Sequence, residues 1–195
     1  VTNSNIAVGE ILEVLSMTKT AVRDQYNPNG PITYVISILN SGTLPMNGLT
    51  LTDNLGAYAS GTATLTPLNY LADSVKYYVN GVLQPSAVVT AGPPLVVSGI
   101  TVPAGGSVTV AYEAAVNEFA PLDTTSVINN TAIVAGTGIT PITAEEEITV
   151  ESTPVLTITK SVSPVPVTEN GTLTYTFLIQ NSGNVAADAS TGVVV

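Results

Sequence analysis

Three polar residues have side chains that could react with one another: Lys19 and Asp53 at predicted buried strand positions, and Asn129 on a predicted long strand. Because successive side chains of a strand point to opposite faces, Lys19 shares the apolar face of Leu15 and Met17. Asp53 is in phase with the leucines of its own strand, and Asn129 lies on the last long strand, which we expect to pair with the first. A lysine on an apolar face is unusual, so it requires a partner.

A buried lysine beside an acid and an asparagine can form an isopeptide bond without an enzyme. Removal from water favours the neutral amine of Lys19, and a protonated carboxyl of Asp53 would polarise the side-chain carbonyl of Asn129. The alternative is that Lys19 lies at the end of its sheet and forms an ion pair with Asp53. The mass of the intact chain distinguishes the two, because the bond releases one ammonia, about 17 Da.

A second candidate site is a calcium site formed by Glu145, Glu146 and Glu147. Carboxylate oxygens are the ligands that Ca²⁺ prefers, although the spacing of a calcium-binding loop is missing here. The alternative is a solvated acidic edge that discourages sheets from aggregating. No other cofactor is predicted.

The composition excludes several classes of function. The chain has 195 residues with 14 acids against 4 bases, and a net charge of −10 repels nucleic acid and anionic membranes. Cysteine and histidine are absent, which excludes disulfides, Ser-His-Asp triads and the usual zinc sites. No apolar run reaches the roughly 18 residues of a membrane span. We therefore predict a protein that is not an enzyme and does not insert into a membrane.

Short strands must position the candidate residues. Apolar runs rich in Val, Ile and Thr recur at intervals of roughly 8–12 residues, separated by Gly, Pro and Asn turns. The clearest turn is Asn80-Gly81, which predicts a hairpin. Since a lone sheet would expose one apolar face, two sheets must pack together. The pattern predicts an all-β protein with an immunoglobulin-like sandwich.

One stretch of the sequence occurs twice. Residues 15–42 and 156–183 align without a gap from the lysine to a shared Asn-Ser-Gly, so the repeating unit is about 140 residues, the size of a domain. We therefore predict one complete sandwich over residues 14–153, preceded by an extension strand over residues 1–13. Residues 154–195 form the N-terminal half of a second copy.

The order of the motifs resembles the DUF11 repeat family. The motifs are Leu-x-Met/Ile-x-Lys, Thr-Tyr, Asn-Ser-Gly, Leu-Thr-Leu-Thr-Asp-Asn-Leu, Pro-Ala-Gly-Gly-Ser-Val-Thr-Val and Val-Ile-Asn-Asn-Thr-Ala. The resemblance implies tandem Ig-like domains of bacterial or archaeal surface proteins, located outside the cell, with a structural or adhesive role. Similar placements of lysine, acid and asparagine occur in pilin and adhesin domains of Gram-positive bacteria.

The incomplete second copy leaves two explanations open. Either the chain is a piece of a longer protein, or a neighbouring subunit supplies the missing strands, with residues 1–9 as the donor. In the second case subunits join head to tail into a filament, and Lys160 meets Asn3 of its neighbour.

Two functions follow from these observations. The first is an extracellular structural protein that forms a cell-surface stalk or filament. The alternative is an adhesin that binds carbohydrate or protein through its loops, and its only aromatic candidates are Tyr58, Tyr70, Tyr77 and Tyr78. Tyrosines in hairpins more commonly pack across strands.

Overall fold

All regular structure in the described residues is β-strand, which confirms the predicted all-β class. The structure is a computed structural model that describes residues 14–28, 30–85, 87–163 and 165–188. In chain order the strands are β1 (Leu15–Ala21), β2 (Gln25–Tyr26), β3 (Pro31–Asn40), β4 (Met46–Asp53), β5 (Tyr58–Ser60), β6 (Ala63–Leu65), β7 (Leu68–Tyr70), β8 (Lys76–Val79), β9 (Val82–Leu83), β10 (Val88–Thr90), β11 (Leu95–Val102), β12 (Ser107–Val116), β13 (Val127–Ala135), β14 (Ile142–Val150), β15 (Leu156–Ser163) and β16 (Thr174–Asn181).

Two six-stranded sheets form the sandwich. The first sheet has the order β1-β3-β12-β8-β9, and β7 also pairs with β12. The second sheet has the order β10-β11-β4-β13-β14-β2. The pairs are antiparallel except for β2, which runs parallel to β14. The strand that carries Lys19 therefore lies in one sheet, and the strand that carries Asp53 lies in the other.

The core lies between the inner faces of the two sheets. Buried and less buried residues alternate along β3 and β12, as expected for strands with one face on a core. Burial of each large aliphatic side chain contributes roughly 1.5–3 kcal/mol to the stability of the fold. The largest fully buried side chains are Tyr26, Tyr34, Tyr112, Ile32, Ile36, Ile38, Leu49, Leu51, Leu55, Leu68, Leu95 and Ile100.

Local sequence explains two irregular points of the sheets. Asn80 and Gly81 join β8 to β9 with φ values of 50° and 77°, so the predicted hairpin is confirmed with both turn residues in the left-handed region. Gly99 has φ of 76° inside β11, where the register against β4 shifts between Val97 and Ile100. A glycine in this conformation produces a bulge that bends the strand.

The hairpin of β15 and β16 repeats the pairing of β1 and β3. Lys19 pairs with Ile36 and Lys160 with Phe177, so both partners move by the same 141 positions, from 19 to 160 and from 36 to 177. The corner that follows is repeated too. Asn181 accepts from Gly183 N–H and donates to Val185 O, and Asn40 at the end of β3 accepts from Gly42 N–H and donates to Leu44 O. The two segments thus share one local structure.

The two hairpins differ in what covers them. The inner face of β3 is buried beneath the second sheet, whereas every residue of β15 and β16 is exposed. Among the strands of the described residues, these two pair only with each other. The domain limits at residues 13/14 and 153/154 stay a prediction, and the extension over residues 1–13 lies outside the described residues. No helix in the described part of the chain is long and apolar enough to cross a membrane.

Candidate functional site

A buried ion pair joins the two sheets. Nζ of Lys19 on β1 lies 2.6 Å from Oδ2 of Asp53 at the end of β4, and both side chains are almost completely removed from solvent. The predicted core-facing positions of Lys19 and Asp53 are therefore confirmed. The ion pair, given above as the alternative to the covalent bond, is the contact that the structure contains.

Two further residues extend the ion pair into a polar network. The hydroxyl of Tyr112 on β12 donates to Oδ2 of Asp53 at 2.7 Å. Nδ2 of Asn130 on β13 in turn donates to that hydroxyl at 2.9 Å. Lys19, Asp53, Tyr112 and Asn130 thus form a hydrogen-bonded chain that connects four strands and both sheets.

The turn after β4 fixes the orientation of two members of the network. Leu55 N–H donates to Oδ1 of Asp53 at 3.0 Å, and Gly56 N–H donates to Oδ1 of Asn130 at 3.2 Å. Leu55 and Gly56 have φ values of 54° and 72°, and this pair of left-handed residues turns both N–H groups inward. A Cβ on Gly56 would lie 2.6 Å from the side chain of Ile128, so the turn requires glycine for space as well as for conformation.

The prediction for Asn129 was wrong by one residue. Asn129 is exposed, and its Nδ2 donates to Oε2 of Glu145 on the neighbouring strand at 3.3 Å. Its neighbour Asn130 has no exposed surface and faces the network. Because the side-chain period of a strand is two, a shift of one position moves the side chain from the core to solvent. The asparagine that lies in the core with Lys19 is therefore Asn130.

Burial shifts the pKa values of the network. Burial lowers the pKa of Lys19 from 10.5 to about 8, against the opposing attraction of Asp53 and, more weakly, of Glu146. Burial also raises the pKa of Tyr112 well above its ordinary value, and the neighbouring charge of Asp53 adds to the shift. Burial therefore makes the Lys19 ammonium easier to deprotonate and keeps the Tyr112 hydroxyl protonated.

Tyr34 forms one wall of the site without joining the network. Its ring stacks on the ring of Tyr112 with centroids 5.5 Å apart, and Nζ of Lys19 lies 5.0 Å from its centroid. The Asn130 carboxamide is close enough to influence the pKa of the Tyr34 hydroxyl, which burial raises above its ordinary value. The hydroxyl nevertheless makes no hydrogen bond of standard geometry. Tyr34 thus supplies an aromatic surface for the cation.

The three glutamates of the predicted calcium site do not converge. Glu145 and Glu147 are exposed on one face of β14, whereas the half-buried Glu146 points to the other face and accepts Ala21 N–H at 3.1 Å. Glu145 is engaged by Asn129. Within the described ranges no group of three acidic side chains is placed to hold a metal ion. Strand alternation is the physical reason.

The counterpart lysine of the second copy has a different environment. Nζ of Lys160 lies 4.5 Å from the ring centroid of Tyr175 and 5.5 Å from that of Phe177, on the exposed hairpin. Its predicted partner Asn3 lies outside the described residues, so their pairing stays a prediction. The aromatic rings nevertheless repeat the lysine-over-tyrosine arrangement of Lys19 and Tyr34.

Three of the four tyrosines of the adhesin hypothesis make contacts within the domain. Tyr70 and Tyr77 pack against the core, and the Tyr77 hydroxyl bonds the backbone of Thr101. The hydroxyl of Tyr58 donates to the backbone carbonyl of Phe119 at 2.7 Å. Their roles match the cross-strand packing expected of tyrosines in hairpins.

Solved structures share this fold, although sequence comparisons give no relative. No family model and no curated protein matches the chain, so the DUF11 resemblance stays a prediction. Similar structures include the major pilin subunit BcpA of Bacillus cereus, with a TM-score of 0.50 and 15% identity over 74% of this chain and 42% of that chain. A variant of the same subunit gives a TM-score of 0.54 and 10% identity over 87% and 56%.

A second pilin has the same kind of likeness. The full-length major pilin SpaD of Corynebacterium diphtheriae gives a TM-score of 0.51 and 14% identity over 75% of this chain and 36% of that chain. The chain therefore spans about half or less of the length of these pilins. At such identities the comparison establishes the fold: this chain is built on a β-sandwich of the kind found in pilin subunits.

Proposed function

We propose that this chain is an extracellular structural protein of a cell-surface stalk or filament, and that an isopeptide bond between Lys19 and Asn130 closes its sandwich. The observation that carries the proposal is the buried network from Lys19 through Asp53 and Tyr112 to Asn130. The pilin-like fold supports the location and the structural role. The net charge of −10 argues against a partner of nucleic acid or an anionic membrane.

The network is poorly explained by stability alone. A buried ion pair loses so much hydration that an apolar pair of the same size is commonly as stable or more so. The cost is justified when the pair performs chemistry, and buried ionisable groups with shifted pKa values are concentrated at reactive sites. The chain has no cysteine and therefore cannot form a disulfide. A Lys–Asn bond is a covalent link that its residues can form instead.

The reaction requires one movement in the site. Nζ of Lys19 must leave its 2.6 Å contact with Asp53 and reach Cγ of Asn130, which the long, flexible lysine side chain allows. Transfer of a proton from the ammonium to the Asp53 carboxylate removes both charges from the core and frees the amine for attack. Burial lowers the pKa of Lys19 to about 8, which favours this transfer.

Intact-mass measurement of the purified full chain tests the bond. We expect a mass lower than the sequence mass by one ammonia, about 17 Da, and a cross-linked peptide containing Lys19 and Asn130 after proteolysis. The variants K19A and N130A should both have their full sequence masses. A wild-type chain at its full sequence mass would contradict the proposal.

We further propose that subunits assemble through the exposed hairpin of β15 and β16. Its apolar face carries Phe177, which is 55% exposed although the equivalent Ile36 of the first copy is fully buried. A face of this kind is covered either by further strands of its own domain or by a neighbouring subunit. Donation of a strand by residues 1–9 of a neighbour is the arrangement that would join subunits head to tail.

Electron microscopy with two matched variants tests the assembly. Phe177 and Leu178 are both 55% exposed and adjacent, but they point to opposite faces of β16. We expect fibres from the wild-type chain and from L178S, and their loss in F177S. Discrete particles from the wild-type chain, or equal effects of the two substitutions, would contradict assembly through this face.

A further inference from the structure

We propose that Tyr112 and Gly56 are catalytic groups of the cross-linking reaction, in which Tyr112 delivers the proton to the departing ammonia and Gly56 N–H stabilises the developing oxyanion. This inference rests on the proposed Lys19–Asn130 bond. It departs from the sequence-based hypothesis above, in which the carboxyl of Asp53 acted directly on the carbonyl of the asparagine.

The orientation of the Asn130 amide carries the argument. Gly56 N–H can only donate, so the amide atom 3.2 Å away must be the oxygen Oδ1. The nitrogen Nδ2 is then directed at the Tyr112 hydroxyl, 2.9 Å away. The leaving group Nδ2 therefore contacts Tyr112, and the carbonyl oxygen Oδ1 contacts the backbone N–H of Gly56. Asp53 is hydrogen-bonded to Lys19, Leu55 and Tyr112 and to neither atom of the Asn130 amide.

The position of Tyr112 completes a path for the proton. Its hydroxyl lies 2.7 Å from Oδ2 of Asp53, the same oxygen that Nζ of Lys19 contacts at 2.6 Å. A proton taken from Lys19 by Asp53 can therefore replace the one that Tyr112 gives to Nδ2. Leu55 N–H holds the other carboxyl oxygen at 3.0 Å, which keeps Oδ2 turned toward the path.

The steps balance as follows. Asp53 accepts a proton from the Lys19 ammonium, and the neutral amine attacks Cγ of Asn130, so that the new C–N bond forms and an electron pair moves to Oδ1. Tyr112 gives its proton to Nδ2 and takes one from Asp53. The Cγ–Nδ2 bond breaks and ammonia leaves. The extra proton on the former amine returns to Asp53, and the products are an amide, one ammonia and a neutral carboxyl.

The environment of the site supports Tyr112 as proton donor and Gly56 N–H as donor to the oxyanion. Lys19, Asp53, Tyr112 and Asn130 are all buried away from bulk solvent, and a hydrogen bond to a developing charge is stronger there than in water. Burial holds the pKa of Tyr112 well above its ordinary value, so the hydroxyl keeps its proton until the leaving group needs it. The Gly56 donor belongs to a turn that a side chain would disrupt.

The rate of ammonia loss tests the role of Tyr112. The full chain is expressed in a short pulse, and intact mass is followed with time for wild type, Y112F and the control Y78F, with circular dichroism to show folding. We expect Y112F to cross-link about 100-fold or more slowly, the usual contribution of a general acid. Y78F should react at the wild-type rate, because Tyr78 pairs with Thr109 and therefore lies on the opposite face of the sheet from Tyr112.

A second measurement separates proton delivery from packing. Incorporation of 3-fluorotyrosine into Y34F preserves the ring of Tyr112 and makes its hydroxyl more acidic, so the rate should change if that proton moves. A folded Y112F that reacts at the wild-type rate overturns the role of Tyr112 and leaves the cross-link itself intact. An unchanged rate with fluorotyrosine does the same when Y112F fails to fold. A wild-type chain that never loses ammonia overturns both proposals.

Discussion

Two adjacent asparagines provide a sharp test of the site. Asn130 has no exposed surface and makes two hydrogen bonds, to Tyr112 and Gly56. Asn129 is exposed and makes one long hydrogen bond to Glu145. The variants N129A and N130A therefore make the same chemical change one position apart, on opposite faces of β13.

The expected losses of stability differ widely. N130A removes two buried hydrogen bonds worth about 1 kcal/mol each, so it costs about 2 kcal/mol if no cross-link exists. A bond from Lys19 to Asn130 closes a loop of about 110 residues, and the chain-entropy relation gives about 4.7 kcal/mol for such a closure. With the bond, N130A should cost about 7 kcal/mol. N129A should change the free energy of unfolding by less than about 0.5 kcal/mol.

The free energy of unfolding of both variants is measured by urea titration. Near-UV circular dichroism of the eight tyrosines is the probe, since the chain has no tryptophan. The slope of the free energy against urea should rise in N130A, because the unfolded chain is no longer held in a loop. The same samples are weighed by mass spectrometry. If N129A keeps its full sequence mass while N130A still loses ammonia, the assignment of the reactive asparagine is refuted.

Three further predictions follow from the same contacts. In N130A, where the Lys19 amine is free, stability should rise with pH between the folded pKa of about 8 and the unfolded 10.5, because the unfolded chain then binds more protons. Above pH 10.5, where the Lys19 contribution no longer grows, stability should fall, since the pKa of Tyr112 is raised by folding, and urea midpoints across this range check both signs. Y34F, measured by the same unfolding, should change stability by at most about 1 kcal/mol, because the lost hydroxyl has no standard hydrogen bond. Deletion of residues 154–195 should leave the unfolding midpoint unchanged, since none of their described residues belongs to the buried core, and a clear drop would contradict the predicted boundary.

The alternation of apolar and polar residues was sufficient to predict that the side chains of Lys19 and Asp53 face the core, because each lies in a strand whose apolar residues fall on one face. The same alternation did not identify Asn130 as the core-facing asparagine. Strand β13 carries apolar residues on both faces, with two successive asparagines between them. The period alone cannot choose between Asn129 and Asn130 there. The choice is made by pairing with β4, where Ala132 lies opposite Asp53 and places Asn130 on the same face.

Tyr112 and Gly56 could not be assigned to the site from sequence. Tyr112 lies on the same face of β12 as Val108 and Val110, so the sequence pattern predicts only that it is a core residue. Its contacts with Asp53 and Asn130 depend on how two sheets pack, which no local pattern encodes. Residues 56–75 are rich in Gly, Ala and Thr, and their sequence predicts a loop with one short strand, whereas the structure has three short strands there, β5, β6 and β7. Strands of three residues owe their existence to tertiary pairing.

The position of the network in the chain has a mechanical consequence. Lys19 belongs to the first strand of the sandwich, and Asn130 belongs to the strand that precedes the last. With the proposed bond formed, tension applied between the two ends crosses from β1 to β13 through covalent bonds and bypasses residues 20–129. Within the sandwich, the start of β1 and the hairpin of β13 and β14 remain in the line of force. Stretching could then lengthen the domain by unfolding that hairpin alone, so a tethered sandwich would yield by a small fixed extension while most of its core stayed folded.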